Sequence, residues 1–347
     1  PQVELALFAI KDGPPPELKT RIGADGANQI ANHGAEPSLP GIEYLEEDGA
    51  QSASFKVIEV SEGEIDAGEA DVAPLARAPL SGFHERTSAG SLPKIAADGR
   101  TPAQAYARPF ADKTGAPKIS LVVAGLGLKD RHTMAAIREL PPEVTLAFSP
   151  YEPKLQYYLD LAREAGHEVL IELPMEAYDY PNVDTGPQTL LTGKASANNL
   201  RRLEAVLGKA EGYFGLTNYQ GAKFATDVDA AAPVFEAMQK RGLAFLHDGA
   251  AARSVLPQTA EELQLDFRVA DRIVDTEPTA DAIDRELLQL EALAIQNGHA
   301  VGVGYAYPVT IEQFRNWSQG LKAKGYQLAP VSAAMNIQAD PTGSPTH

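Results

Sequence analysis

Four stretches of this 347-residue chain carry the side chains that could do chemistry. The longest, ELPMEAYDYPNVDTGP from Glu172 to Pro187, crowds Glu172, Glu176, Asp179, Tyr180, Asn182 and Asp184 into one turn-rich segment. Carboxylates that accept hydroxyl protons beside a ring that packs on a pyranose face suit sugar recognition. A solvated loop in an acidic protein is the competing reading. In TNYQGAKFATD, from Thr217 to Asp227, Gly221 permits a tight turn, Asn218, Gln220 and Lys223 offer donors, and Tyr219 offers a ring. The third stretch, FLHDGAAARS, places His247 and Asp248 side by side at a strand end, where adjacent residues face opposite ways, so at most one points to any given side. The last, GVGYAYPVT, sets Tyr305 and Tyr307 around Ala306.

Several chemistries are excluded by spacing. The seven histidines form no H-x-x-x-H pair and no H-E-x-x-H, so no local metal motif exists, and a lone His247 reads as structural unless a second ligand joins it. No G-x-S-x-G marks a serine nucleophile, and the absence of cysteine removes disulfides, thiol nucleophiles and zinc thiolate sites. Gly125-Leu126-Gly127 is not a dinucleotide fingerprint, because Asp130 stands where the third glycine belongs. Glu172 and Asp248 remain as a carboxylate pair able in principle to cleave glycosidic bonds without metal.

These stretches need elements to position them, and from Lys118 onward the chain alternates short apolar runs with helical patterns. Strands are expected at Ile119–Val123, Val144–Phe148, Glu168–Leu173, Tyr213–Thr217, Ala244–Leu246, Phe267–Val269, Ala300–Val303 and Gln327–Pro330. Helices are expected at 130–140, 154–164, 198–210, 230–241, 281–297 and 311–324. Such alternation points to a parallel α/β sheet closed into a barrel, whose strand-end loops meet in one mouth. Thr279 and Thr310 read as helix caps, and Gly242 and Gly325 as left-handed helix ends. In KISLVVAGLGL, from Lys118 to Leu128, a buried strand runs into two glycines at the prime chemical position, yet Ala124, Gly125 and Gly127 can neither ligate a metal nor move a proton.

Residues 1–116 read as an N-terminal extension, a partly ordered arm or small subdomain rich in Pro, Gly and acidic residues, with order expected only at Val3–Ile10, Ile42–Leu45 and Ser54–Val60. Residues 117–335 form the barrel and 336–347 a flexible tail. The net charge of −17 argues against nucleic acid and anionic membrane surfaces as partners, and no apolar run is long enough to span a bilayer. Because the first residue is Pro1, an upstream leader or anchor is expected to have been removed.

Taken in order, LVVAGLGL, VTLAFSPY, GHEVLIELPMEAYDYPN, LTNYQGAKFATD, FLHDGAAARS and VGYAYPVTI resemble the divergent polysaccharide deacetylase family, a branch of the NodB-like deacetylases of the Gram-negative envelope, over about Ser91 to Ala334. The resemblance implies a NodB-like (β/α)7-type distorted barrel and a periplasmic location. Active relatives hold a divalent metal with paired aspartates at the end of the first barrel strand and with histidines from later loops. Here those aspartates fall on Ala124 and Gly125, and the histidine positions on Glu172, Tyr219 and Tyr305. The expectation is a barrel without metal, cofactor or metal-dependent deacetylase activity. Its mouth, built from Glu172, Glu176, Tyr180, Asn182, Asp184, Asn218, Tyr219, Lys223, His247, Asp248, Tyr305 and Tyr307, would bind a glycan or an envelope protein. Two alternatives stay open: a hydrolase using Glu172 and Asp248, and metal-dependent deacetylation through Glu172, His247 and Asp248.

Overall fold

A computed structural model describes residues 73–112 and 114–339. Val3–Ile10, Ile42–Leu45 and Ser54–Val60 lie outside the described residues. Contacts divide the chain between Gly68 and Glu69, so residues 73–112, which the sequence places with the extension, belong to the same unit as the barrel. They form an antiparallel hairpin of β1 (His84–Thr87) and β2 (Gly90–Pro93), then α1 (Pro102–Tyr106). The helix α1 starts where Thr101 and Gln104 cap each other's backbone amides and Pro102 occupies the first turn.

The barrel follows: β3 (Lys118–Leu126), α2 (Asp130–Glu139), β4 (Thr145–Phe148), α3 (Leu155–Glu164), β5 (Val169–Met175), α4 (Asn199–Leu207), β6 (Gly215–Gln220), α5 (Val228–Lys240), β7 (Ala244–His247), α6 (Leu256–Glu262), β8 (Phe267–Val269), β9 (Arg272–Ile273), α7 (Ala280–Asn297), β10 (His299–Tyr305), α8 (Pro308–Leu321), β11 (Gln327–Leu328) and α9 (Val331–Ala334). Every strand expected from the apolar runs is present. The sheet runs β8-β7-β6-β5-β4-β3-β10-β9, with β11 paired to the start of β3. All of its pairings are parallel. Its two ends, β8 and β9, are separated in sequence only by Ala270 and Asp271. There the amide of Ala270 donates to His247 O at 2.8 Å and that of Asp271 to Val301 O at 2.8 Å, so one bent segment crosses from β7 to β10 and closes the barrel. The short β9 escaped notice in the sequence because two residues carry no periodicity.

Strand parity sorts the side chains into two layers. Val122, Ala124, Ala147, Leu170, Leu246, Val301 and Val303 fill the interior, with Phe83, Tyr106, Val331, Met335 and Ile337 in the same cluster; Ile337 lies beyond the barrel end at 335 expected from the sequence. Leu121, Val123, Leu146, Ile171, Leu173 and Phe245 face the helices. The base of the barrel is sealed by a buried carboxylate, Glu168. It accepts from Thr145 Oγ1 at 2.8 Å, Ser332 N at 3.0 Å, Ser332 Oγ at 2.6 Å and Arg108 N at 3.0 Å.

Gly242 and Gly325 adopt φ of +66° and +85°, as their left-handed helix-end positions require. Thr279 caps α7 through Ala282 N. Thr310 does not cap α8, contrary to expectation. Pro308, which lacks an amide hydrogen and has its φ fixed, opens that helix instead, and the Thr310 hydroxyl turns inward to Asp275.

Candidate functional site

Parity carries the site as well. Ala124 pairs with Tyr305 across β3 and β10, and Glu172 with Thr217 across β5 and β6. Thr217 in turn pairs with Leu246. Paired residues of parallel strands face the same side, so Ala124, Glu172, Tyr219, Asp248 and Tyr305 all turn toward the barrel axis at its carboxyl end. Asp248, not His247, is the member of that pair that faces the mouth.

The centre of the mouth is Glu172. Its side chain is only 3% exposed. The carboxylate Oε1 accepts from the amide of Gly125 at 2.7 Å. Gly125 makes this bond because its φ of +74° allows a bulge in β3, where the pairing with β4 shifts register between Val123 and Leu126. Burial pushes the Glu172 carboxyl up to about 7, against the opposing pull of the Gly125 amide.

Two tyrosines, Tyr219 and Tyr305, share the neighbourhood of this carboxyl, and Tyr307 flanks Tyr305. The Tyr305 ring lies against Gly125, where a Cβ would stand 3.7 Å from ring carbon Cδ1. Tyr305 and Tyr307 have ring centroids 6.5 Å apart. Tyr307 is 40% exposed and forms the outer rim. Burial, then the Asp248, Glu172 and Asp275 carboxylates, push the Tyr305 phenol well above its usual range. Tyr219 is raised by burial and then by Glu172, and feels Tyr307 as well, which places the four groups in one neighbourhood.

The backbone that carries Tyr305 is held from three sides. Asp275 Oδ2 accepts from Tyr305 N at 2.6 Å and from Thr310 Oγ1 at 2.7 Å. The Ala306 amide donates to Ala124 O at 2.9 Å, and the Ala306 carbonyl lies 2.9 Å from His132 Nδ1. Asp275 is 4% exposed, and its Oδ1 is buried without a hydrogen-bond partner among the described residues. Burial raises this carboxyl to about 6 even though Thr310 and the Tyr305 amide favour its ionised form. Neither Asp275 nor His132 stood out in the sequence. The one signal for Asp275 was an acidic residue following the apolar pair Ile273-Val274.

The remaining predicted residues divide in two. Asn218 and His247 lie behind the mouth as supports: Asn218 Oδ1 accepts from Asp248 N at 2.9 Å and His247 Nδ1 from Gly249 N at 3.1 Å. Burial lowers His247 and raises Asp248. Glu176 and Lys223 form an ion pair at 2.7 Å, which Thr192 completes by donating to the second carboxylate oxygen from its amide at 2.6 Å and from its hydroxyl at 2.8 Å. Burial pushes Glu176 up, but Lys223 and the Thr192 donors outweigh it and leave the group below its usual range. These two residues pin the β5 loop to the β6 loop. Asn182 and Asp184 are exposed and Tyr180 is half-buried. Among the described residues, no hydrogen bond, ion pair or ring contact joins these three to Glu172.

A divalent metal of the kind the sequence resemblance implies does not fit this mouth. The strand end where two carboxylates would ligate is Ala124 and Gly125, and the nearest carboxylate is engaged with the Gly125 amide. Among the described residues, no three His, Cys, Asp or Glu side chains come close enough to share an ion. No described helix is long and apolar enough to cross a membrane.

Comparison with known proteins agrees with the topology. A model of the divergent polysaccharide deacetylase family matches residues 121–335. The crystal structure of an uncharacterized protein, ATU2773, from Agrobacterium tumefaciens C58 is 38% identical, with a TM-score of 0.69, over 71% of this chain and 99% of that one. The uncharacterized protein YibQ of Escherichia coli K12 is 20% identical over 231 residues, 66% of this chain and 71% of YibQ. A Haemophilus influenzae protein, also uncharacterized, is 25% identical over 197 residues, 56% of this chain and 68% of that protein. With the matched region running from β3 to α9, and so spanning the closed sheet and every mouth strand, the chain belongs to the divergent polysaccharide deacetylase family.

Proposed function

We propose that this protein is a periplasmic glycan-binding barrel of the cell envelope that has given up metal-dependent deacetylation. The observation that carries this reading is the bond from the Gly125 amide to Glu172. A backbone donor and a carboxyl fill the place where the fold otherwise gathers metal ligands, and the surrounding wall is Tyr219, Tyr305 and Tyr307. Rings that stack on sugar faces beside carboxylates that accept hydroxyl protons make a mouth suited to recognition. Polarising an acetamide needs a Lewis acid or an equivalent cluster of donors, and these residues supply neither.

A second reading is favoured by one observation, the proton affinity of Glu172. A carboxyl held at about 7 is suited to act as general acid, with Asp248 as its partner in glycoside cleavage. Tyr305 weighs against it, because a buried phenol shares the neighbourhood of both carboxylates.

Metal content of the purified protein, release of acetate or reducing ends from peptidoglycan fragments and chito-oligomers, and calorimetric binding of the same oligomers separate the readings. The binding barrel predicts measurable affinity, lost in Tyr219→Ala and Tyr305→Ala, with no turnover. Acetate release with tightly bound metal, or glycoside cleavage lost in Glu172→Gln, would overturn it.

A further inference from the structure

Among the described residues, the exposed aromatic side chains are Tyr157, Tyr178 and Tyr307, and each follows the carboxyl end of a barrel strand, β4, β5 and β10 in turn. Tyr178 and Tyr307 stand on the loops after β5 and β10. Tyr157 stands apart from them in α3, and it is 55% exposed. It lines a recess of about 550 Å³ between α2 and α3, together with Asp130, Pro153, Lys154 and Gln156. The walls of this recess are fixed. The Tyr158 hydroxyl donates to Asp130 Oδ1, and the Tyr158 ring braces Tyr157 in an edge contact with centroids 5.5 Å apart. Gln156 is held by Glu211, whose amide donates to Gln156 Oε1 at 2.8 Å and whose carbonyl accepts from Gln156 Nε2 at 3.2 Å. Two polar groups are left for a guest, Asp130 Oδ2 and the Lys154 ammonium, neither of which has a hydrogen bond or ion pair among the described residues.

The recess shares one loop with the mouth. Gly125 donates to Glu172 in the mouth, Gly127 lies against Glu152, where a Cβ would stand 3.0 Å from Glu152 Cβ, and Asp130 lines the recess. Five residue steps, at most about 18 Å of extended chain, separate Gly125 from Asp130. Leu128, between them in the chain, is exposed. From this geometry we infer that the recess is a second sugar subsite, and that the ligand is a glycan polymer with one pyranose on Tyr157 and Pro153 and another in the mouth. The inference rests on the glycan-binding reading above. A pyranose presents an apolar face rimmed by hydroxyls, which matches a ring and a proline beside one acceptor, Asp130, and one cationic donor, Lys154. A purely apolar guest would gain nothing from those two groups, and a polyanion would meet the Asp130 carboxylate. Two weak subsites joined by one ligand act at high effective concentration, so affinity rises with oligomer length.

The test is calorimetric titration of the full chain with the β-1,4-linked dimer and hexamer of N-acetylglucosamine. The hexamer is expected to bind at least about thirtyfold more tightly than the dimer, and at least about tenfold of that preference should be lost in Tyr157→Ala, with a smaller loss in Asp130→Asn. Each variant is checked for native circular dichroism. Equal affinities for the two oligomers, or a hexamer preference untouched by Tyr157→Ala, overturns this inference and leaves the binding barrel standing as long as Tyr305→Ala still abolishes binding. Hexamer binding lost in Tyr157→Ala but kept in Tyr305→Ala would move the glycan to the recess alone and overturn both readings. If neither oligomer binds the wild-type protein, the glycan-binding reading falls and this inference falls with it.

Discussion

Replacing Glu172 by Gln should make the protein more stable above neutral pH and leave it unchanged near pH 4.5. The Gln side-chain oxygen can still accept from the Gly125 amide, so shape and hydrogen bond are kept while the ionisable group is lost. In the folded chain burial raises the Glu172 carboxyl from an ordinary 4.5 to about 7. The folded state therefore holds a proton across this window that the unfolded chain has released, so wild-type stability falls as pH rises from about 4.5 to about 7 and then levels off. Each tenfold change in proton affinity is about 1.4 kcal/mol, which puts the penalty of the ionised group at about 3 kcal/mol. Urea unfolding of wild type and variant, followed by circular dichroism at several values between pH 4.5 and pH 8, reads the difference directly. Asp275, raised from 3.8 to about 6, adds a similar slope at lower pH to both proteins and cancels in the comparison. A gap between the two proteins that stays constant across the range would refute the desolvated placement of Glu172. So would a variant less stable than wild type at pH 8.

Other perturbations probe the supports. Gly125→Ala forces a side chain into a φ of +74° and should lower stability by about 1–2 kcal/mol in denaturant unfolding, with weakened glycan binding as the bulge shifts. Glu168→Ala strands the Thr145, Ser332 and Arg108 N–H and O–H donors at the base of the barrel; a buried donor left unsatisfied costs about 1–3 kcal/mol, so a drop in melting temperature is expected. Lys223→Met removes the cation that holds Glu176 ionised, so the Glu176 carboxyl should titrate at higher pH in carbon-detected NMR while the Glu172 titration stays where it is.

Much of this protein was legible in its residues alone. Apolar runs of strand length separated by amphipathic helices located the eight expected strands, because periodicity and burial are local consequences of side-chain type. Gly242 and Gly325 announced their helix ends, since few other residues tolerate that backbone. Ala124 and Gly125, which carry no titratable group at the end of β3, were visible as letters, and so was the tyrosine content of the mouth.

Tertiary structure decided which of those letters meet. Glu172 and Gly125 are 47 residues apart, and only the closed sheet with its bulge in β3 brings the amide to the carboxylate. The choice between His247 and Asp248 was set by register, which shifts every side chain to the other face when it changes by one residue. Glu176 and Lys223, plausible as ligand-binding groups in sequence, neutralise each other once folded, while Tyr180, Asn182 and Asp184 remain on the loop beyond them. Asp275 gained its role from the bend between β8 and β9, and local pattern cannot encode a contact that depends on closing a barrel. Sequence determines what each segment can become and which chemistry is missing. The proton affinity, charge balance and exposure of the site are many-body consequences of packing, and they exist only in the folded chain.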